Sequence, residues 1–149
     1  MTTSHLNLML ADDDKDDCIF FKEALEEIPV DTNLVTVNGG VELMDMLLND
    51  DTVLPDVLYL DLNMPRKNGF DSLAEIKSSE KLKQLPVIIF STSFNPEIIE
   101  QLQRLGATYY IQKPPEFNNL RKIIHRSLAL IMHTDDNHQE DEGFFLNPS

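Results

Sequence analysis

Short apolar runs alternate with longer stretches of helical periodicity along most of this 149-residue chain. An apolar run of about four to eight residues is typical of a strand buried on both faces, and apolar residues three and four positions apart are typical of a helix. The pattern predicts strands at 6–11, 34–37, 57–60, 87–90 and 108–112, which alternate with helices at 14–28, 39–49, around 70–76, 96–105 and 117–131. Strict alternation predicts an α/β fold, a parallel sheet with helices on both faces.

Polar residues mark the ends of two of these helices. Asn95 followed by Pro96 is typical of a helix start, and Gly106 is typical of a helix end. Asp14, Asp16 and Asp17 are expected to cap the first helix rather than to bind metal, because acids are favourable at the positive end of the helix dipole.

The composition limits the classes of function. The formal net charge of −14 argues against a nucleic-acid partner, which needs a basic surface. No apolar run approaches the roughly 18 residues of a membrane span, the first ten residues do not resemble a secretory signal, and the single Cys18 excludes an internal disulfide. We therefore expect a cytoplasmic protein without membrane association.

Charge also divides the chain. Residues 1–133 are predicted to form one domain, and residues 134–149 an acidic, disordered tail. The apolar residues 144–146 are expected to be either a docking peptide or a disordered end. Nothing after Met132 is long enough for a second domain, so we expect the protein to act through contacts with other proteins or in a phosphorelay.

Chemically distinctive residues follow four of the strands. Asp12 and Asp13 follow the first, Asp61 the third, Ser91 the fourth and Lys113 the fifth. The carboxyl ends of parallel strands share one edge of the sheet, so these side chains should form one site.

The residue types at this edge indicate its chemistry. Carboxylates about 4 Å apart repel by roughly 1 kcal/mol in water and roughly 4 kcal/mol near a protein surface. Oxygen ligands without Cys or His suit Mg²⁺, and Lys suits phosphate. The set indicates an aspartyl-phosphate site.

The order and spacing of these residues resemble those of the response regulator receiver domain, over about residues 6–132. The resemblance is carried by the pair Asp12-Asp13, Asp61 within DLNMP, Gly69, Ser91 after PVIIF, and Tyr110 followed by Lys113-Pro114. It implies a flavodoxin-like, doubly wound (βα)5 three-layer sandwich with a five-stranded parallel sheet in the order 2-1-3-4-5.

The resemblance also implies a role for each site residue. Asp61 accepts the phosphoryl group. Asp13 and Asp61 bind Mg²⁺ directly, Asn63 contributes its backbone carbonyl, and Asp12 holds a bound water. Lys113 pairs with Asp61 and then with the phosphoryl group, and the Lys113–Pro114 bond is expected to be cis. Ser91 is the switch hydroxyl, and Tyr110 is the aromatic residue whose ring is expected to swing inward on activation.

The implied partner is a sensor histidine kinase or a histidine phosphotransfer protein. The protein would not be an enzyme beyond its own phosphorylation and dephosphorylation. It would switch protein contacts through the face formed by the fourth helix, fifth strand and fifth helix, as a monomer or weak homodimer.

Three alternatives remain open. A flavodoxin-like cofactor binder would need a phosphate-binding loop after the first strand, where three consecutive Asp residues would repel phosphate. A haloacid-type phosphatase needs two Asp residues two positions apart after that strand, which residues 12–14 permit, but it leaves Asp61 and Ser91 less well explained. A docking module without phosphoryl chemistry would not need the complete set of acids, Ser91 and Lys113.

Overall fold

The computed structural model describes residues 5–132 and 143–147. The strands are β1 (His5–Ala11), β2 (Asp31–Val37), β3 (Val57–Leu60), β4 (Val87–Ser91), β5 (Tyr109–Gln112) and β6 (Phe145–Leu146). The helices are α1 (Lys15–Glu26), α2 (Gly40–Leu48), α3 (Gly69–Ser78), α4 (Pro96–Leu105) and α5 (Phe117–Met132). All strand pairs are parallel, in the order β2-β1-β3-β4-β5-β6. The predicted α/β fold and the order of the first five strands are confirmed.

Strand β2 is longer than its apolar pattern predicted. It pairs with β1 from His5 opposite Asp31 to Ala11 opposite Val37. Because β2 is an edge strand of the sheet, several of its side chains face solvent and need not be apolar. The backbone pairing with β1 therefore extends through the polar residues 31–33.

Two apolar cores lie on opposite faces of the sheet. Alternate residues of each strand point to opposite faces, so Leu8, Tyr59 and Phe90 pack beneath α1 and α5, while Leu58 and Ile89 pack on the side of α2, α3 and α4. A buried hydrogen bond of 2.6 Å joins the Tyr59 hydroxyl to Ser127 Oγ on α5. These contacts fix the central strands from both sides.

The helix ends follow the predicted chemistry. The Asp14 side chain accepts hydrogen bonds from the backbone N–H groups of Asp16 and Asp17, and Asn95 caps α4 in the same way. Gly106 ends α4 with φ of 110°, a left-handed conformation that glycine adopts without strain. No helix in the described ranges is long and apolar enough to cross a membrane.

The sixth strand is formed by tail residues for which the sequence predicts either disorder or a docking peptide. Tyr110 N donates a hydrogen bond to the Phe144 carbonyl at 3.0 Å, and Phe145 and Leu146 pair with β5. Leu146 enters the core beneath α5, and Phe145 packs on the opposite side of the sheet. The prediction of disorder is therefore wrong for Phe145 and Leu146. Tail residues 134–142, 148 and 149 lie outside the described residues.

Replacing Leu146 by Ala should lower the free energy of unfolding by about 2 kcal/mol, because its side chain is only 2% exposed. The exposed neighbour Asn147 provides the control, and Asn147→Ala should change stability by less than about 0.5 kcal/mol. Urea denaturation of both variants measures the difference. Equal stabilities would show that β6 does not pack against the sheet in solution.

Candidate functional site

The sheet places three of the predicted site residues at its carboxyl edge. Asp12 N donates to the Val37 carbonyl at 3.0 Å, Asp61 N to the Ala11 carbonyl at 2.9 Å, and Lys113 N to the Ser91 carbonyl at 2.7 Å. Each of these bonds continues a strand pairing by one residue. Strand register therefore fixes the backbone positions from which these side chains extend.

Three carboxylates meet at this edge. One oxygen from each of Asp12, Asp13 and Asp61 lies within 4.8 Å of the others, and Asp12 and Asp61 are buried whereas Asp13 is exposed. Asn63 N donates to Asp61 Oδ1 at 3.4 Å, so the predicted fourth ligand residue lies beside the group. We call Asp12, Asp13 and Asp61 the acid cluster. Its hard oxygen donors, without sulfur or imidazole, fit a divalent cation such as Mg²⁺ or Mn²⁺.

Lys113 lies against the acid cluster but is closer to two other oxygens than to Asp61. Its Nζ donates to Asp12 Oδ2 at 2.8 Å and to Asp17 Oδ2 at 2.7 Å, and lies 3.6 Å from Asp61 Oδ2. The ammonium also lies 5.3 Å from the centroid of the Phe90 ring. Within the described residues, Lys113 therefore forms three ion pairs. The one with Asp61, which the resemblance implies, is the longest.

The contact between Asp17 and Lys113 is not predicted by the sequence pattern, which indicates only that Asp17 is favourable at the positive end of the helix dipole. A signal for its side of the helix was available. Asp17 precedes the fully buried Phe21 by four residues, and residues four apart share one face of a helix. That face of α1 points toward the sheet and its functional edge.

Burial and charge shift the protonation of the site. Burial raises the pKa of Asp61 to about 7; the ammonium of Lys113 opposes this shift, and the charge of Asp12 adds to it. Burial alone would lower the pKa of Lys113, but its hydrogen bonds with Asp12 and Asp17 and the charge of Asp61 raise it above its usual range. Lys113 is therefore a stable cation, while Asp61 is partly protonated near neutral pH when no divalent cation is bound.

Ser91 and Tyr110 connect the edge of the sheet to the start of α4. The Ser91 side chain is buried, and its Oγ accepts a hydrogen bond from Ser93 N at 3.2 Å. The Tyr110 hydroxyl donates to the Ser93 carbonyl at 2.6 Å, and the Tyr110 ring stacks on Phe145 with centroids 5.7 Å apart. Tyr110 is only 1% exposed. The predicted inward swing of its ring does not start from this arrangement, because the ring already lies inside.

Gly69 has a steric role at the loop that follows Asp61. A Cβ at this position would lie 2.1 Å from the Asp61 carbonyl oxygen, which no side chain could tolerate without moving the backbone. Gly69 N also donates to the Leu62 carbonyl at 3.0 Å. The close approach of α3 to the end of β3 therefore depends on glycine.

The expected cis bond between Lys113 and Pro114 is wrong. There are no cis peptide bonds in the described residues, so this bond is trans. Trans is the lower-energy form of a bond to proline by roughly 0.5–1 kcal/mol.

The raised pKa of Asp61 predicts a pH-dependent stability in the absence of divalent cations. The folded carboxyl, with a pKa of about 7, keeps a proton that an ordinary carboxyl with a pKa of 3.8 has lost. The free energy of unfolding should therefore fall as pH rises through this interval and then level off. Asp61→Asn remains neutral and should exceed wild type by roughly 1–3 kcal/mol near pH 8, since one pKa unit corresponds to about 1.4 kcal/mol. Urea denaturation in chelator near pH 5 and pH 8 measures this; a difference that is independent of pH would contradict the assignment.

Comparison with known proteins places this site in a family. Residues 8–125 match the response regulator receiver domain. Response regulator Rcp1 from Synechocystis sp. is 30% identical over 121 residues, which cover 78% of this chain and 82% of Rcp1.

Solved structures agree in fold. The phosphorylated cyanobacterial phytochrome response regulator RcpA is 35% identical with a TM-score of 0.80, over 88% of this chain and 96% of RcpA. The Mn²⁺-bound form of Rcp1 is 28% identical with a TM-score of 0.78, over 87% of this chain and 96% of Rcp1. These matches favour the receiver over the phosphatase and flavodoxin-like alternatives. The chain belongs to the response regulator receiver domain family of two-component signalling.

Proposed function

We propose that this protein is a response regulator that accepts a phosphoryl group on Asp61 in a Mg²⁺-dependent reaction. The proposal depends on the position of Asp61, which lies at the end of a central strand and is only 4% exposed. The Lys113 ammonium lies 3.6 Å from its carboxylate, and the carboxylates of Asp12 and Asp13 lie beside it. RcpA, which is 35% identical to this chain, has been solved as a phosphorylated response regulator. That similarity supports the same chemistry here.

The phosphoryl donor would be a phosphohistidine of a sensor histidine kinase or of a histidine phosphotransfer protein. A carboxylate oxygen of Asp61 attacks the phosphorus, and the bond between phosphorus and the imidazole nitrogen breaks. The electron pair of that bond stays on the imidazole, which then takes up a proton, and the new P–O bond makes an acyl phosphate. Only the ionised carboxylate is a nucleophile, so the reaction needs Asp61 without its proton.

The acid cluster would hold the divalent cation. Asp13 and Asp61 would bind it directly, Asp12 through a water, and Asn63 through its backbone carbonyl. When bound, the cation supplies positive charge that offsets the carboxylates and the incoming phosphoryl oxygens. Rcp1, which is 28% identical to this chain, has been solved in a Mn²⁺-bound form, and this supports divalent-cation binding here.

The response would be a change in protein contacts on the face formed by α4, β5 and α5. Ser91 would donate a hydrogen bond from its hydroxyl to one phosphoryl oxygen, and Lys113 would pair with another. Tyr110 would carry the change to the surface, because its hydroxyl is bonded to Ser93, two residues after Ser91. The setting would be the cytoplasm, where sensor kinases present their phosphohistidine.

A small phosphodonor such as acetyl phosphate, together with Mg²⁺, should add one phosphoryl group to the wild type and none to Asp61→Asn. Intact-mass spectrometry measures the adduct, which should be labile in base because it is an acyl phosphate. Asp45→Asn, at an exposed position on α2, is the matched control and should react like wild type. An adduct on Asp61→Asn would locate the acceptor elsewhere, and continuous hydrolysis of a generic phosphate ester would indicate a phosphatase.

Mg²⁺ should raise the melting temperature, because a ligand that binds only the folded state stabilises it by about 1.4 kcal/mol at ten times its dissociation constant. Asp13→Asn should abolish this shift, whereas Asp16→Asn, an exposed acid in the first turn of α1, should retain it. Thermal melts over a series of Mg²⁺ concentrations test both variants. A shift that survives in Asp13→Asn would remove this residue from the ligand set.

A further inference from the structure

Asp17 reaches the site from the first turn of α1. Its Oδ2 accepts a hydrogen bond of 2.7 Å from Lys113 Nζ, although the two residues are 96 positions apart in the chain. Asp12 Oδ2 accepts a second hydrogen bond from the same ammonium at 2.8 Å. The two hydrogen bonds of the Lys113 ammonium therefore go to one carboxylate of the acid cluster and one carboxylate outside it.

We propose that Asp17 is a positioning residue for phosphoryl transfer to Asp61, acting through Lys113; this inference rests on the proposed function of Asp61. An ammonium has three N–H donors. Asp12 and Asp17 engage two of them, which leaves the third for the side of Asp61, 3.6 Å away. Asp17 thereby determines the direction in which the Lys113 N–H groups point. It also prevents the ammonium from moving closer to the Asp61 carboxylate.

Packing alone does not fix the Lys113 ammonium. A cavity of about 100 Å³ borders Lys113 and is lined by Asp17, Phe20, Phe90 and Pro114 among others. Lysine carries roughly 2 kcal/mol of rotamer entropy on its flexible stem. The Phe90 ring attracts the ammonium from 5.3 Å but offers no directional acceptor. The two hydrogen bonds to carboxylates therefore determine where the ammonium lies.

Without the Asp17 carboxylate, the ammonium would be shared by Asp12 and Asp61 alone. It would shorten the present 3.6 Å ion pair with Asp61 to a direct hydrogen bond. That pair would engage the oxygen that must attack phosphorus and would occupy the space through which the phosphoryl group must enter. Loss of the Asp17 charge should therefore slow phosphoryl transfer, although Asp17 contacts neither the nucleophile nor the donor.

The test compares the full-length wild type, Asp17→Asn and Asp16→Asn in phosphorylation by acetyl phosphate with Mg²⁺. Asp16 provides the matched control, because it lies in the same helical turn, is exposed, and loses the same charge on substitution. The maximal rate of Asp17→Asn should be about tenfold below that of Asp16→Asn, which corresponds to about 1.4 kcal/mol of transition-state stabilisation. The donor concentration at half-maximal rate should not change, and Asp17→Glu should recover part of the rate because it restores the carboxylate.

A spectroscopic measurement separates positioning from a general loss of stability. The NMR resonances of Lys113 Nζ and Cε, recorded without phosphodonor, should shift in Asp17→Asn and stay unchanged in Asp16→Asn. The Mg²⁺-induced rise in melting temperature should persist in Asp17→Asn, because Asp17 lies outside the acid cluster. Two results would overturn the inference, provided that the wild type is phosphorylated. One is that the maximal rates of Asp17→Asn and Asp16→Asn lie within about twofold of each other. The other is that the Lys113 resonances do not shift in Asp17→Asn. Failure of the wild type itself to accept phosphate would instead overturn the proposed function.

Discussion

The balance between Lys113 and the carboxylates around it is the constraint on which the functional edge of this sheet depends. The Lys113 ammonium lies within 4.0 Å of carboxylate oxygens from Asp12, Asp17 and Asp61, and its side chain is only 9% exposed. Buried charges are costly unless they are paired and hydrogen-bonded. Burial raises the pKa of Asp61 to about 7, and the ammonium of Lys113 opposes this shift only in part. One ammonium faces the carboxyl groups of Asp12, Asp17 and Asp61, with Asp13 beside them, and this excess of acids is what makes the edge suited to a divalent cation.

Such a balance requires side chains to be held to within about 0.5 Å. The two cores on the faces of the sheet provide that rigidity. Phe21 packs edge-on against Tyr59 with ring centroids 4.8 Å apart, and Tyr59 is tied to Ser127 on α5. These contacts hold β3 two residues before Asp61. Lys113 and Asp12 each continue a strand by a backbone hydrogen bond, so the positions of the charges follow from the packing of the sheet.

The periodicity of the sequence was sufficient to predict the five strand–helix units and the meeting of Asp12, Asp61 and Lys113 at one edge. The strand order was predicted only through the family resemblance. The periodicity was not sufficient for β6, because two residues beyond an acidic segment carry no periodic signal. Phe145 and Leu146 pair with β5 because β5, which would otherwise be an edge strand, offers backbone groups that need hydrogen-bond partners, as the bond from Tyr110 N to the Phe144 carbonyl shows. The isomer of the Lys113–Pro114 bond likewise depends on tertiary contacts. For Asp17, the helical spacing to Phe21 indicates which face of α1 it lies on, but the identity of its partner, Lys113, depends on the tertiary fold.

Two sets of contacts lead away from Asp61, and they differ in how firmly they are held. Toward α1, Lys113 connects the site to Asp17 through hydrogen bonds beside a cavity. Toward α4, Tyr110 is buried, bonded to Ser93 and stacked on Phe145, which also packs edge-on against Phe94. Charge-assisted hydrogen bonds to a phosphoryl group are worth roughly 1.5–3 kcal/mol each, and moving a two-state equilibrium from 1:99 to 99:1 takes roughly 5.5 kcal/mol. Two such bonds, from Ser91 and Lys113, barely reach that value. Any rearrangement of Tyr110 must also disturb its contact with β6, so the C-terminal strand adds to the energy that a phosphoryl group at Asp61 would have to supply.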